Sequence, residues 1–187
     1  MAFSDRKEVT TREEHDEWLK RKWNNLVKQG DTVYHLGDFA FTENYEQLAD
    51  LIASLNGHKV FIRGNHDGSK VWAKIKKNKE TDSRLGSIAK IDKWLYKHFE
   101  HNGKKIGVMM CHFPMAVWWG QQHGSFMLHG HSHGSYEGQG KILDVGLDSL
   151  YNMTHQHTFI TWEEVVDYMK DRPIVLSDYH GTTGRPD

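Results

Sequence analysis

The stretch Lys59-Val60-Phe61-Ile62-Arg63-Gly64-Asn65-His66-Asp67 sets the reading of the whole chain. Val60, Phe61 and Ile62 are β-branched or aromatic, so they suit a short buried strand, and a glycine ends the run. An amide, an imidazole and a carboxylate then follow where the strand gives way to a loop. Three other stretches share this arrangement. The apolar run at 32–36 meets Gly37-Asp38, the run at 105–110 meets Cys111-His112, and the run at 126–128 meets Gly130-His131-Ser132-His133-Gly134. Strand ends in α/β sheets gather side chains from distant sequence into one crevice. Shared position, more than any single residue, is what informs here.

Helical patterns separate these strands. Thr11-Arg12-Glu13-Glu14 has the spacing of a capping box, Trp18, Leu19, Trp23, Leu26 and Val27 recur at helical intervals, and Gly30 stops the run. A second helix is expected over 43–55, closed by Asn56-Gly57, and a lysine-rich one with a solvated face over 69–79. Asn102-Gly103 predicts a hairpin, because both positions accept positive φ. Residues 142–145 read as a further strand, and Thr161-Trp162-Glu163-Glu164 starts a last helix. Early alternation of strand and helix, then mostly strand, predicts a mixed α/β sandwich with helices on its flanks. The chain, 1–187, reads as a single domain with a loosely held polar tail over 173–187.

Composition narrows the class. The 187 residues carry 24 Lys+Arg against 25 Asp+Glu, a net charge of −1, so no global field recruits nucleic acid or an anionic membrane. One cysteine, Cys111, excludes an internal disulfide framework and fits a reducing, cytoplasmic location. No apolar run approaches the roughly 18 residues of a membrane span, and the charged start MAFSDRKEVT lacks the core of a signal peptide. The outlier is histidine, with 14 copies. Imidazole is the commonest metal ligand and a proton donor near neutral pH.

Asp38, Asn65, His112, His131 and His133 together offer imidazoles, a carboxylate and an amide oxygen, a donor set for divalent transition metals. On extended backbone, His131 and His133 direct both rings to one side, where they can serve adjacent ions. The two oxygens of Asp38 can bridge ions about 3.5–4 Å apart.

Gly37-Asp38, Gly64-Asn65-His66-Asp67, Cys111-His112 and Gly130-His131-Ser132-His133-Gly134, in this order, resemble the calcineurin-like metallophosphoesterases. The resemblance spans roughly residues 10–168. It implies an α/β/β/α sandwich around a dinuclear metal site that hydrolyses phosphodiesters or phosphomonoesters, with metal-activated water as the nucleophile. By position it implies that Asp38 bridges the ions, that Asn65, His112 and His131 complete one of them, and that His133 binds the other. His66 resembles the family's non-ligand histidine, which contacts phosphate and protonates the leaving oxygen, with Asp67 orienting its ring. The donors admit manganese first, and iron, nickel, cobalt or zinc as well. A small phosphate ester is the implied partner; neither membrane nor nucleic acid is indicated.

One family motif is missing. Members open with a strand ending in Asp-x-His, which supplies the remaining ligands of the second ion; here Ser4-Asp5-Arg6-Lys7 has lysine in the histidine position. Either the sequence starts after that motif or Asp5 serves as a degenerate ligand. One ion is then firmly held and the other weakly, and loss of the first strand leaves a sheet edge that a homodimer could cover. The alternative function is a weak or inactive member serving as a binding or scaffolding module.

Lesser expectations complete the reading. Asp144 and Asp148 either support the metal-bound imidazoles or build turns. His129 has a structural role, His35 lies under the site, and Cys111 is a buried strand residue. Trp118-Trp119 form core or loop packing, with a substrate wall or dimer patch as the alternative.

Overall fold

The computed structural model describes residues 11–156 and 158–175. Its first helix, α1 (Arg12–Leu26), starts as the capping box requires: the Thr11 hydroxyl accepts from the Glu14 amide, and the Glu14 carboxylate accepts from the Thr11 amide. It stops at Leu26, ahead of Gly30, and packs Trp23 and Val27 against Leu55 and Val33.

Three parallel strands, β1 (Thr32–His35), β2 (His58–Ile62) and β3 (Ile88–Asp92), form the first sheet in that order. The helices α2 (Tyr45–Ser54) and α3 (Ser69–Asn78) connect them. Asn44 caps α2 by accepting from the Glu46 and Gln47 amides, so the helix starts two residues later than its pattern suggests. Strand alternation decides what each face meets. Phe61 points to the helices and joins Leu48, Ile52, Val71, Trp72 and Ile75, whereas Ile62 points the other way with Tyr34 and Leu36.

That second direction is the interior of the sandwich. The facing sheet, in order β4 (Trp94–His101), β5 (Lys104–Cys111), β6 (Phe126–His129) and β7 (Ile142–Asp144), supplies Val108, Met110, Phe126 and Leu143. Helix α5 (Trp162–Met169), which opens with the expected capping box at Thr161, adds Val165 and Met169. Each such fully buried side chain contributes on the order of 1.5–3 kcal/mol. On the far face of this sheet Met109, Met127 and Ile142 lie under Trp118, which is buried, while Trp119 is exposed. The tryptophan pair thus divides between core and surface.

The turn between β4 and β5 is built by Asn102 at φ 50° and Gly103 at φ 73°, as the dipeptide predicts. From β5 onward the sheet is parallel. The C-terminal ends of β1 and β5 therefore meet, and His112 Nδ1 lies 2.8 Å from the Leu36 carbonyl.

Among the described residues, two sheets and five α-helices make the mixed α/β architecture that the motifs imply. The pattern did not show β3 or the helix α4 (Leu147–Thr154), which starts at Gly146 without a side-chain cap. Cys111 is half-buried, not buried, because it is the last residue of its strand. Among the described residues β1 pairs with β2 alone, so one of its edges has no strand partner. Asp5 and the tail beyond residue 175 lie outside the described residues. No helix among those described is long and apolar enough to cross a membrane.

Candidate metal centre

The strand-end loops bring Asp38, His112 and His131 together, each offering a ligand atom within 4.8 Å of the others. Asn65 joins through His112, whose Nε2 is 2.9 Å from Asn65 Oδ1 and 3.3 Å from Asp38 Oδ2. Protonation of the ring follows from its other nitrogen. A carbonyl can only accept, so Nδ1 carries a hydrogen donated to Leu36 O, and the neutral ring has a bare lone pair on Nε2. That lone pair points at two oxygens that are themselves electron-rich. Such a convergence is repulsive unless a proton or a metal cation lies between the atoms. Two ligand atoms bound at about 2.1 Å and near right angles to one ion stand about 3 Å apart, close to the spacing found here. The donor set fits a divalent metal.

The backbone is shaped around this point. Asp38 adopts φ 56° and His131 φ 65°, in a region that non-glycine residues rarely occupy and that concentrates at functional sites. Gly37, at φ 105°, passes so close to His112 that a Cβ there would collide with the imidazole. At Gly64 a Cβ would strike the Asp38 carboxylate. Close approach demands both glycines, and at Gly37 the positive φ does so as well.

Asp67 has a different role from the expected one. Its carboxylate is buried and accepts three main-chain amides, from Asp38 at 2.9 Å, Phe39 at 2.9 Å and Gly64 at 2.8 Å. With both oxygens committed, it clamps the two first-sheet loops together instead of orienting the His66 ring. Asp38 Oδ1 in turn accepts the His66 amide at 2.8 Å, which leaves Oδ2 directed at His112. The His66 ring is exposed and lies beside Phe41, with centroids 5.1 Å apart.

The paired histidines part company. His131 and His133 both have left-handed φ, 65° and 50°, so the backbone is not extended and the argument for parallel rings fails. His131 turns to the cluster, with its ring centroid 5.0 Å from that of His112. His133 does not join the cluster. It is exposed, and its Nδ1 meets Asp148 Oδ2 at 2.7 Å, so Nε2 is the nitrogen not engaged by that carboxylate. A carboxylate holding the far nitrogen is the usual support of a metal-binding imidazole. Asp144 takes the other role: it accepts from the Gly134 and Gly146 amides and fixes the turns on either side.

Two other histidines lie beneath. His35 is enclosed by Trp23, Phe39 and Phe61, and burial pushes its pKa down to about 4. Its Nδ1 accepts the Gly37 amide, consistent with a neutral ring. His129 is buried, with Nδ1 on the Gly130 carbonyl and a pKa lowered by the same desolvation, which fits a structural role.

The motifs did not point to the aromatic surround. Phe113 lies 4.5 Å from His131 and 4.9 Å from His112, centroid to centroid, and Phe41 flanks His66. Each follows a site residue closely in sequence, a signal available from position alone.

The sequence model of the calcineurin-like phosphoesterase family matches residues 11–186. An uncharacterised protein of Methanocaldococcus jannaschii is 32% identical over 125 residues, covering 66% of this chain and 56% of that protein. The Gene 66 protein of Mycobacterium phage L5 is 28% identical over 147 residues, 65% of each chain. This chain thus spans between about half and two thirds of the length of the curated relatives it matches. A solved protein of unknown function from Aquifex aeolicus has a similar fold, with a TM-score of 0.55, 22% identity, and coverage of 86% of this chain and 88% of that one.

Proposed function

Because the chain belongs to the calcineurin-like phosphoesterase family, we propose that it is a metal-dependent phosphoesterase that hydrolyses small phosphodiesters or phosphomonoesters. The observation that carries this reading is the His112 Nε2 lone pair converging with Asn65 Oδ1 and Asp38 Oδ2 beside His131. Asp38, Asn65, His112 and His131 hold one ion firmly. His133, with a share of Asp38, holds a second more loosely, and manganese is the first candidate for both. When bound, such ions neutralise phosphate oxygens and shift water toward hydroxide near neutral pH.

The chain's own residues supply the rest. The buried Asp67 clamp keeps Asp38 in place before any ligand arrives, so orientation is settled in advance. Asp148 holds the His133 ring in the tautomer whose Nε2 can bind. His66 is placed by its amide bond to Asp38, and its exposed ring is free to give a proton to the departing alkoxide. Neither a nucleophilic serine nor a nucleophilic cysteine is needed; Cys111 Sγ faces the Lys93 carbonyl at 3.8 Å.

The test is hydrolysis of bis-p-nitrophenyl phosphate with and without added Mn²⁺. Metal-dependent turnover that His112→Ala abolishes is expected. A second reading, a weakly active member used as a binding module, draws on the thin second position, for which this proposal supplies just Asp38 and His133. Metal retention without turnover at any Mn²⁺ concentration would select it.

A further inference from the structure

We infer that Phe41 and Phe113 are a pair of aromatic walls that select phosphate esters bearing a planar aromatic ring. The inference rests on the phosphoesterase reading and assigns it a substrate class.

Phe41 and Phe113 are 64% and 45% exposed, a large apolar area to leave in water beside a polar site. Their neighbours behave differently. Phe39, two residues before Phe41 on the same loop, turns into the core with Phe61 and Trp72, and His112, directly before Phe113, is buried. Core formation therefore uses the adjacent side chains and leaves these two rings at the lip. Each stands against a group with a part in the proposed reaction. Phe41 flanks the His66 ring with centroids 5.1 Å apart, on the first-sheet side. Phe113 lies edge-on to His131 and His112 at 4.5 and 4.9 Å, on the second-sheet side.

A phosphate held by Asp38, His112 and His131 would have Phe113 against two of the rings that hold it and Phe41 against His66. The ester arm beside His66 is the one that leaves with a proton, so Phe41 faces the departing group and Phe113 the retained one. Flat, rigid rings favour a flat partner, since stacking complements the ring quadrupole and costs little side-chain entropy. A nucleobase is such a partner. Stacking on one aromatic side chain corresponds to about 10-fold in affinity, within the range seen for bases on aromatic residues.

Three p-nitrophenyl diesters share one leaving group and differ in the retained arm: methyl, n-octyl and thymidine-5′. The expected result is a kcat/KM at least about 10-fold higher for the thymidine ester than for either alkyl ester. Phe113→Ala should bring the thymidine-to-methyl ratio toward one, and Phe113→Tyr should restore it. Phe41→Ala should lower turnover of all three, whose departing group is itself aromatic. Equal rates across the series, or a preference for octyl, would overturn the aromatic assignment; octyl preference would mean a lipid-like arm. If none of the three is hydrolysed, the phosphoesterase reading fails, and calorimetry in Mn²⁺ still decides the walls. Thymidine 5′-monophosphate binding about 10-fold tighter than methyl phosphate, lost in Phe113→Ala, would uphold them; equal affinities would refute them.

Discussion

The first-sheet loops and the histidine loop of the second sheet build the same site in opposite ways. Asp38, Gly64 and Asp67 are tied into one block by a buried carboxylate that accepts three amides. His131 and His133 stand on an exposed loop, and a single carboxylate, Asp148, holds the outer ring. A buried charge-assisted network leaves its members one arrangement, because breaking any bond strands a charge away from water. A single hydrogen bond to an exposed ring is weak by comparison, since solvent competes for it. The cluster of Asp38, His112 and His131 is therefore ready-made, whereas His133 stands apart on one side-chain contact. This contrast is the basis for the proposal of one firm and one loose metal position.

The largest effect expected lies at His66, whose exposed ring belongs to the rigid half. His66→Ala should lower kcat by about 10²–10⁴, the usual contribution of a general acid, while metal content stays unchanged. Loss of bound metal in that variant would make His66 a ligand and blur the division between the halves. Next comes the clamp. Asp67→Ala removes a buried acceptor of three amides and should cost on the order of 4 kcal/mol of stability, read by urea unfolding. A change near zero would show that the first-sheet loops are held by packing alone.

Beneath the same half, His35 makes the metal-free fold sensitive to acid. Its pKa is about 4 in the folded protein against an ordinary 6.5, so between these values the unfolded chain binds the extra proton. Stability is then intact above about 6.5 and falls as pH drops toward 4, by up to about 3 kcal/mol. His35→Asn, which keeps an acceptor for the Gly37 amide and removes the titration, should flatten that slope. An unchanged slope would assign the acid sensitivity elsewhere. The smallest effect belongs to the loose half: Asp148→Ala should weaken the second metal position by about 10–100-fold in a Mn²⁺ titration of activity. It should shift stability by less than about 1 kcal/mol, since the ring it holds is exposed.

How much of this was legible depended on how local each feature was. The capping boxes at Thr11 and Thr161 and the Asn102-Gly103 turn are written in a few adjacent residues, and the structure repeats them. The convergence of Asp38, Asn65, His112 and His131 could be read because each ends an apolar run, and parallel strands carry such ends to one place. The strand at Ile88–Asp92 alternates poorly, with Ala89 and Lys90 exposed between the buried Ile88 and Ile91, and so left no periodic mark. Nothing in the spacing of His131 and His133 announced their left-handed backbone, which sends the two rings apart. Asp67 stood beside His66 in sequence, yet three amides 28 and 29 residues upstream or three residues away claimed its oxygens, an outcome that only the fold determines. Phe41 and Phe113 were visible as residues but not as exposed ones.

On the proposed function, the Asp38–Asn65–His112–His131 convergence is a metal position already formed in the fold. The direct measurement is metal content per chain by mass spectrometry, after incubation with Mn²⁺ and desalting, for the wild type and His112→Ala. About one ion retained by the wild type and none by the variant, with the variant still folded by circular dichroism, is the predicted result. Equal retention in both proteins, or no retention in either, would contradict it.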